Sequence, residues 1–373
     1  MGLLTKFYDK APVCVQNLMC SAKGWQICRR RYGKGFYQEL HNYTSNRAID
    51  RTERLRDFLI LASTIEGYKG VLTGKEVQSL KDGTLDVYTA LARFPILDKQ
   101  KVKHDVQAYS NPAYQGRVID MHTSGTTGSG LVFPYSVEME NKQWAIWWRY
   151  RMRLGLTMDT WCGWFGGKTI INISNTQLPY WRINRPGRQV MFSAYHLNQE
   201  TVRDYANQIR TRELLWLHGY PSSLASLSSL MIENGISPIT TVRFITTGAE
   251  NLYSYQVNQM HKAFPNAMIR QHYGLAEGVA NISQDRDGEW RIDDDFCHVE
   301  LLPVENELNV CRIIGTGFSN KAFPLVRYDT GDLAHIEKHN GQTRIVSIDG
   351  RKEDYVTLPN GVRLGRLDHI FKD

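Results

Sequence analysis

Between residues 116 and 274, short apolar segments alternate with longer amphipathic ones. The apolar segments are "GRVIDMHT", "RQVMFSAY", "LLWLHGY", "VRFITTG" and "AMIRQHY". Helix signals stand between them: Ser136 at an N-cap, Pro221 at a first helical position, and Asn234-Gly235 at a helix end. Strands that alternate with helices build a layered α/β domain with a largely parallel sheet, whose ligands lie at the carboxyl ends of the strands.

The flanking regions differ from this core. From residue 11 to 110 the apolar spacing is helical, as in "RLRDFLILAST". After about residue 285, period-two segments such as "ELNVCRIIG" and "QTRIVSI" are typical of a small barrel or sandwich. We therefore expect a helical lead-in over residues 1–110 packed on the large domain, an α/β core over 111–285, a β-rich, barrel-like subdomain over 286–350, and a final segment over 351–373.

The composition is that of an ordinary globular protein. The chain has 373 residues, 42% of them hydrophobic, and a net charge of +7 from 45 basic and 38 acidic residues. The charges are spread along the chain. The densest basic run, Arg29 to Arg31 with Lys34, is explained by a solvated helix end, so we expect no nucleic-acid partner.

Cysteine usage and hydropathy indicate the compartment. The six cysteines show neither CxxC pairs nor metal-ligand spacing, which argues against a zinc site and against a disulfide framework. The N-terminus has no secretory apolar region, and no apolar run approaches the roughly 20 residues of a transmembrane helix. We expect a cytoplasmic protein without a transmembrane segment.

The segment "MHTSGTTGSGLVFPYS", residues 121 to 136, contains a glycine and hydroxyl run. Ser124, Thr126 and Thr127 offer hydroxyls, and Gly125 and Gly128 free the backbone to turn N–H groups toward one anion, for which phosphate is the natural guest. The pattern GxxxxGK[ST] is absent and strand-like residues follow, so we interpret the loop as a hairpin lid over phosphates. A plain hairpin connection is the alternative.

Four later stretches combine glycines with charged residues: "TTGAENL" (246 to 252), "HYGLAEG" (272 to 278), "RYDTGD" (327 to 332) and "DGRKED" (349 to 354). Taken one at a time, each is the sequence of an ordinary turn. On the residues alone, Asp332 is explained as a β-turn aspartate and Glu277 as a charge in the first turn of a helix. Their order and spacing along the chain suggest one set of functional motifs rather than four unrelated turns.

In this order, "TSGTTG", "GAE", "YGLAE", "RYDTGD" and "GRKED" resemble the motif set of adenylate-forming enzymes, the acyl-CoA synthetase and adenylation-domain superfamily. "GAE", "YGLAE" and the ending "GRLDHIFK" look most like the phenylacetate-CoA ligase branch, especially its CapK-like members in capsular polysaccharide biosynthesis. The resemblance runs from about residue 11 to the last residue. It implies the α/β fold of the large N-terminal domain, with layered αβ subdomains, a small β-rich subdomain, and a mobile C-terminal domain largely missing after a hinge in 351–373.

The resemblance also implies residue roles. Thr123, Ser124, Thr126 and Thr127, with the backbone of Gly125 and Gly128, close over the β- and γ-phosphates of ATP. Gly248, Ala249 and Glu250 line the adenine, and Tyr273, followed by Gly274, stacks near it. Glu277 binds Mg²⁺, Asp332 takes both ribose hydroxyls, and Arg351 reaches ribose or phosphate. The catalytic residues are then Thr126, Glu277 and Arg351, and we expect these turns to converge around one nucleotide.

Several side chains near the motifs stay without a role. His196, His218 and His272 are explained as packed, hydrogen-bonded histidines. Five tryptophans could line an acyl pocket, with a place in the core as the competing explanation: Trp144, Trp147, Trp148, Trp161 and Trp164.

The sequence departs from the family pattern in places. Gly130 and Leu131 stand where a lysine commonly follows the phosphate loop, Asp329 replaces an arginine, and Glu353 occupies the hinge position. The chain stops at Asp373, where a further domain of about 100 residues would be expected.

The resemblance implies ATP- and Mg-dependent activation of a carboxylic acid as an acyl-adenylate, with coenzyme A or a carrier protein as possible acceptor and a homodimer as a possible assembly. The alternative is a non-catalytic nucleotide-binding scaffold in a polysaccharide assembly complex. The residues leave the acid unspecified.

Overall fold

The computed structural model describes residues 3–45, 49–123, 130–339, 341–350, 355–357 and 363–365. Its helices are α1 (Leu3–Lys10), α2 (Val13–Arg31), α3 (Lys34–Thr44), α4 (Arg51–Ala62), α5 (Gly74–Lys81), α6 (Val87–Arg93), α7 (Lys99–His104), α8 (Val137–Leu154), α9 (Val202–Thr211), α10 (Pro221–Glu233) and α11 (Ser254–Ala263), with short 3-10 turns at Glu66–Tyr68, Gln107–Tyr109 and Ala194–His196.

The strands are β1 (Val118–His122), β2 (Val132–Ser136), β3 (Cys162–Phe165), β4 (Trp181–Asn184), β5 (Gln189–Phe192), β6 (Trp216–Gly219), β7 (Phe244–Gly248), β8 (Met268–Gly274), β9 (Asn281–Gln284), β10 (Trp290–Ile292), β11 (Cys297–Pro303), β12 (Val310–Gly317), β13 (Tyr328–His339), β14 (Gln342–Asp349), β15 (Tyr355–Thr357) and β16 (Arg363–Gly365). The chain forms two compact units. Unit 1 comprises Met1–Arg30 and Gly155–His272, and unit 2 comprises Arg31–Leu154 and Tyr273–Asp373.

Unit 1 is built on a sheet with the strand order β8-β7-β6-β3-β5-β4. All neighbours pair in parallel except β4, which pairs antiparallel with β5 at the edge. One row of paired residues crosses the sheet through Val190, Gly163, Leu217, Ile245 and Ile269. A Cβ on Gly163 would lie 2.7 Å from Leu217 Cδ2. A side chain at position 163 would therefore collide with Leu217, and this row requires glycine there.

Unit 2 contains α3 to α8, three antiparallel hairpins, β1–β2, β9–β10 and β15–β16, and an antiparallel sheet in the order β11-β12-β13-β14. This sheet is an open, curled half-barrel. Ala280, Ile282, Ile313, Ala334 and Ile345 form its buried core. An α/β fold with a largely parallel sheet and a small β-rich region is thus confirmed.

Several local predictions are confirmed. The hydroxyl of Ser136 accepts the N–H of Met139 at the start of α8, α10 begins at Pro221, and Gly235 after its end has φ +59°. Other elements were not predicted: the sequence indicated none of the strands β3, β4 and β9.

A buried ion cluster lies on α8 in unit 2. Arg149 Nη2 donates to Asp293 Oδ1 at 2.6 Å and to Asp295 Oδ1 at 2.8 Å. Arg149 is 6% and Asp293 2% exposed, so the charges compensate each other away from water. This cluster fixes α8, which follows the hairpin β1–β2 directly. Along the parts of the chain that the structure describes, no helix has the length and hydropathy to cross a bilayer.

Candidate functional site

Tyr273 and Asp332 form a hydrogen-bonded pair in unit 2. The Tyr273 hydroxyl donates to Asp332 Oδ2 at 2.7 Å. Burial, and then the charge of Asp332, raise the pKa of Tyr273 well above its ordinary value, so the phenol keeps its proton and acts as a donor. Asp332 is 7% exposed. The pair therefore presents an oriented carboxylate rather than a mobile one.

A bulge in β13 sets the position of Asp332. Arg312 pairs with Leu333 and Ile314 with Asp329, so the residues Thr330 to Asp332 stand opposite the single residue Ile313. The Thr330 hydroxyl donates to the Ile313 carbonyl at 2.9 Å and accepts the N–H of Asp332 at 3.1 Å. Gly331 has φ +75°, which favours glycine. The "DTGD" sequence thus supplies the residues that this bulge requires.

Glu277 is the other buried acid among the expected site residues. It is 4% exposed, and its Oε1 accepts a hydrogen bond from the Tyr328 hydroxyl at 3.3 Å. Lys99 Nζ lies 3.9 Å from the same oxygen. Tyr328 also belongs to β13, so one strand provides Asp332 and a partner of Glu277.

The start of β13 is anchored by a strained arginine. Arg327 has φ +49°, and its guanidinium makes two parallel hydrogen bonds to the Glu300 carboxylate, at 3.0 and 2.9 Å. Leu97 accepts the N–H of Asp329 at 3.0 Å and donates its own to the Arg327 carbonyl at 2.9 Å. These bonds hold Tyr328 and the chain just before Lys99 side by side.

The base of the expected phosphate loop is a closed hairpin, as predicted. Thr123 N–H donates to the Leu131 carbonyl, and Leu131 N–H donates to the Thr123 hydroxyl, both at 2.9 Å. A Cβ on Gly130 would lie 1.9 Å from the Thr123 carbonyl oxygen. Ser124, Gly125, Thr126, Thr127 and Gly128, like Arg351, lie outside the described residues.

The segment expected at the adenine ends β7 in unit 1. Gly248 pairs with His272 on β8, and a Cβ there would lie 2.9 Å from the His272 carbonyl oxygen. Ala249 has φ +66° and is exposed. Glu250 Oε2 accepts the N–H of Ser222 at 3.1 Å, so this carboxylate also caps the start of α10.

The structure brings Tyr273, Glu277 and Asp332 into one hydrogen-bonded neighbourhood of unit 2, where Gly274 ends β8. Gly248, Ala249 and Glu250 belong to unit 1. The convergence of all four turns on one nucleotide stays a prediction.

Sequence reasoning missed three members of this neighbourhood: Lys99, Tyr328 and Thr330. Tyr328 and Thr330 stand within the quoted motif, where alternation along a strand could have drawn attention to them. Lys99 gave no such signal, because it lies on the short helix α7 far away in sequence.

Two of the histidines left without a role, His196 and His218, prove to be hydrogen-bonded. His196 is 7% exposed, its Nδ1 lies 2.7 Å from the Ser193 hydroxyl, and burial lowers its pKa. His218 Nδ1 lies 2.9 Å from the Thr246 hydroxyl.

The tryptophans are divided between the units. Trp144, Trp147 and Trp148 lie on α8 in unit 2, whereas Trp161 and Trp164 lie in unit 1. Trp147 Nε1 donates to Asn281 Oδ1 at 2.9 Å and Trp148 is 5% exposed, which favours the core explanation for these two.

Chemically, the unit 2 neighbourhood offers two buried carboxylates with different partners. An ionised carboxylate accepts several hydrogen bonds, so Asp332 suits a ligand with paired hydroxyls. Glu277 supplies a single carboxylate, and Lys99 lies beside it. Within the described ranges, no group of three His, Cys, Asp or Glu side chains could enclose a metal ion. Any cation here needs oxygen ligands from a substrate or from water.

Comparisons with known proteins agree with the resemblance. No family model matches the chain. Protein CapK of Staphylococcus aureus is 25% identical over 363 residues, which cover 95% of this chain and 79% of that protein. The sequence resemblance to CapK-like proteins is thereby confirmed.

Solved structures of 2-hydroxyisobutyryl-CoA ligase share the fold. The structure in the postadenylation state, in complex with R3-HIB-AMP, has a TM-score of 0.57 at 13% identity and covers 84% of this chain and 69% of that chain. The structure in the thioesterification state, with 2-HIB-AMP and CoA, has a TM-score of 0.54 at 13% identity and covers 95% of this chain and 73% of that one. The fold class predicted from the motifs is confirmed.

Proposed function

We propose that this chain, which shares its fold with an adenylate-forming CoA ligase and is similar in sequence to CapK, activates a carboxylic acid with ATP and Mg²⁺. The product is an acyl-adenylate, and pyrophosphate is released. A thioester with coenzyme A, or with a carrier protein, is the proposed second product, since the fold relative was solved with 2-HIB-AMP and CoA. The motif resemblance supports a place in capsular or related cell-surface polysaccharide biosynthesis.

The observation that carries the proposal is the Tyr273–Asp332 hydrogen bond. The two residues come from "YGLAE" and "RYDTGD", which the resemblance assigns to one nucleotide, and they do meet. A ribose presents two neighbouring hydroxyls, and a fixed carboxylate that already accepts one hydrogen bond can accept both. We propose that Asp332 binds the ribose and that Tyr273 orients Asp332 and lies near the adenine.

Glu277 fits a role in holding Mg²⁺. This ion prefers oxygen ligands and is usually held by one or two carboxylates together with substrate phosphates and water, so a single acid suffices. When bound, the ion would neutralise phosphate charge as pyrophosphate leaves. Tyr328 donates to Glu277 and thereby keeps its carboxylate in one orientation.

The proposed reaction needs no covalent intermediate on the protein. An oxygen of the substrate carboxylate forms a bond to the α-phosphorus of ATP, and the bond from that phosphorus to the pyrophosphate oxygen breaks. Residues of this chain supply alignment and charge: Asp332 fixes the ribose, and the loop from Thr123 to Gly128 is proposed to close over the outer phosphates. Arg351 is proposed to reach ribose or phosphate.

ATP–pyrophosphate exchange tests the proposal. We expect exchange that depends on one class among a panel of aromatic, hydroxy and amino acids. Glu277→Gln should abolish it, whereas Glu305→Gln, which changes an exposed glutamate of unit 2, should leave it unchanged. Nucleotide binding that no acid affects, with no exchange at all, would instead support the non-catalytic scaffold.

A further inference from the structure

A cavity of about 270 Å³ lies within unit 1. Its lining includes Tyr8, Lys10, Val13, Gln16, Asn172 and Arg182. The cavity is bounded by the junction of α1 and α2, by the segment after β3, and by the edge strand β4. Its volume is close to the lower end of the roughly 300–1,000 Å³ of small-molecule pockets. We propose that it binds a small polar monocarboxylate, and this proposal does not depend on the proposed activity.

Arg182 is the first reason. It is 3% exposed, and its Nη1 donates to the carbonyls of Pro179 and Trp181 at 2.7 Å. Its Nε donates to the Gln16 side chain. None of the ion pairs among the described residues involves Arg182, although buried charges in proteins are normally paired. A cavity beside a buried, uncompensated guanidinium is suited to an anion.

The start of α2 is the second reason. Pro12 and Val13 line the cavity, and Val13 opens a helix of 19 residues. The first N–H groups of a helix have no partner within it and carry partial positive charge, which favours an anionic group. Lys10, at the end of α1, adds a second side-chain cation to the lining.

The charges of the lining select the type of anion. Arg182 and Lys10 are positive, and Asp9, which accepts a hydrogen bond from Asn172 Nδ2 at 3.0 Å, is negative. One net positive charge balances a carboxylate but leaves a phosphate dianion uncompensated. The Asp9 carboxylate, an acceptor in the lining, suits a hydroxyl or amino donor on the same ligand.

The cavity is separate from the segment expected at the adenine. In the order β7-β6-β3-β5-β4, Arg182 lies on β4 and Gly248 ends β7. Neighbouring strands are about 4.8 Å apart, so roughly 19 Å of sheet separates the two strands. A molecule in this cavity therefore occupies a second site.

Three probes of similar size test the charge requirement by isothermal titration calorimetry on the whole chain: glycerate, glycerol and glycerol 3-phosphate. We expect glycerate to bind, glycerol to give no heat at the same concentration, and glycerol 3-phosphate to bind more weakly than glycerate. Equal binding of glycerol, tighter binding of glycerol 3-phosphate, or no binding of glycerate would overturn the proposal.

Variants locate the binding. Lys10→Gln should weaken glycerate binding by about 3-fold, as expected for an exposed ion pair, whereas Lys6→Gln, an exposed lysine of α1 outside the lining, should have no effect. Arg182→Lys should weaken it by about 10-fold, because a charged hydrogen bond is lost. If Arg182→Lys does not fold, the glycerate affinity of Lys10→Gln, compared with that of Lys6→Gln, tests the proposal.

The double variant Glu277→Gln with Asp332→Asn separates this site from the proposed nucleotide site. Unchanged glycerate affinity supports the cavity. A loss of glycerate binding in that variant, or equal affinity in Lys10→Gln and the wild type, contradicts it.

Discussion

The Tyr273 hydroxyl lies 2.7 Å from Asp332 Oδ2, although the two residues are 59 positions apart in the chain. Tyr273 stands near the end of β8 and Asp332 in the bulge of β13. The bond couples the orientation of the carboxylate to the last residues of β8. Any ligand of Asp332 therefore meets a group whose position is already fixed.

Tyr273→Phe should remove this bond while keeping the ring. A hydrogen bond to a charged group contributes about 1.5–3 kcal/mol, so nucleotide affinity should fall by about 10-fold or more. Calorimetric titration with ATP measures this change. Tyr37→Phe is the control, since Tyr37 is 56% exposed and belongs to the same unit. Equal affinity in Tyr273→Phe and the wild type would show that Tyr273 does not support the site.

Lys99→Met should leave the buried Glu277 carboxylate without its nearby ammonium group. Removing one partner of a buried pair typically costs about 3–5 kcal/mol, and the 3.9 Å separation places this pair at the lower end. Urea denaturation should show the loss, and adding Glu277→Gln should recover part of it. Lys101→Met, on the exposed side of the same helix, should change stability little. If Lys99→Met left the free energy of unfolding unchanged, the charges of Lys99 and Glu277 would not interact.

The stability of the protein should fall in mild acid, in part because of His196. Burial lowers the pKa of His196 below its ordinary 6.5, so the unfolded chain binds the proton more tightly than the folded one. The histidine's contribution is complete above pH 6.5 and is lost as the pH falls toward the folded pKa.

Denaturation at several pH values measures this slope, which is at most about 1.4 kcal/mol per pH unit for one histidine. His196→Gln should flatten the slope without abolishing it, since burial also lowers the pKa of His298. His261→Gln, at an exposed position, should keep the wild-type slope. An unaltered slope in His196→Gln would exclude His196 as its source.

Gly130→Ala should open the base of the β1–β2 hairpin. The added Cβ would lie 1.9 Å from the Thr123 carbonyl oxygen, so Thr123 or Leu131 must give up its backbone bond. We expect ATP affinity to fall by about 10-fold, as for the loss of one or two hydrogen bonds. Gly74→Ala, where nothing lies within 4 Å, should be neutral or slightly stabilising. If Gly130→Ala bound ATP as tightly as the wild type, the base of the hairpin would not contribute to nucleotide binding.

Local signals in the sequence predicted local structure well. Ser136 and Pro221 mark helix starts because capping and a preset φ act within a few residues. The strands that were missed have only four residues each, as in β3 and β4, and a run that short carries no readable period.

Contacts between distant segments had no such signal. Arg149 meets Asp295 across 146 positions, and nothing in either segment indicates the other. Lys99 reaches Glu277 only because Leu97 pairs with the chain around Tyr328. The motif resemblance located Tyr273, Glu277 and Asp332, but the residues that orient them depend on tertiary packing.

The bulge of β13 places three residues opposite Ile313, which is two more than a regular ladder holds. Because two is an even number, the strand keeps the same faces inward before and after it. Deleting or inserting one residue between Asp329 and Leu333 would turn either Asp332 or the remaining strand to the opposite face. Related sequences should therefore tolerate exchanges of side chain in this stretch far better than any change in its length.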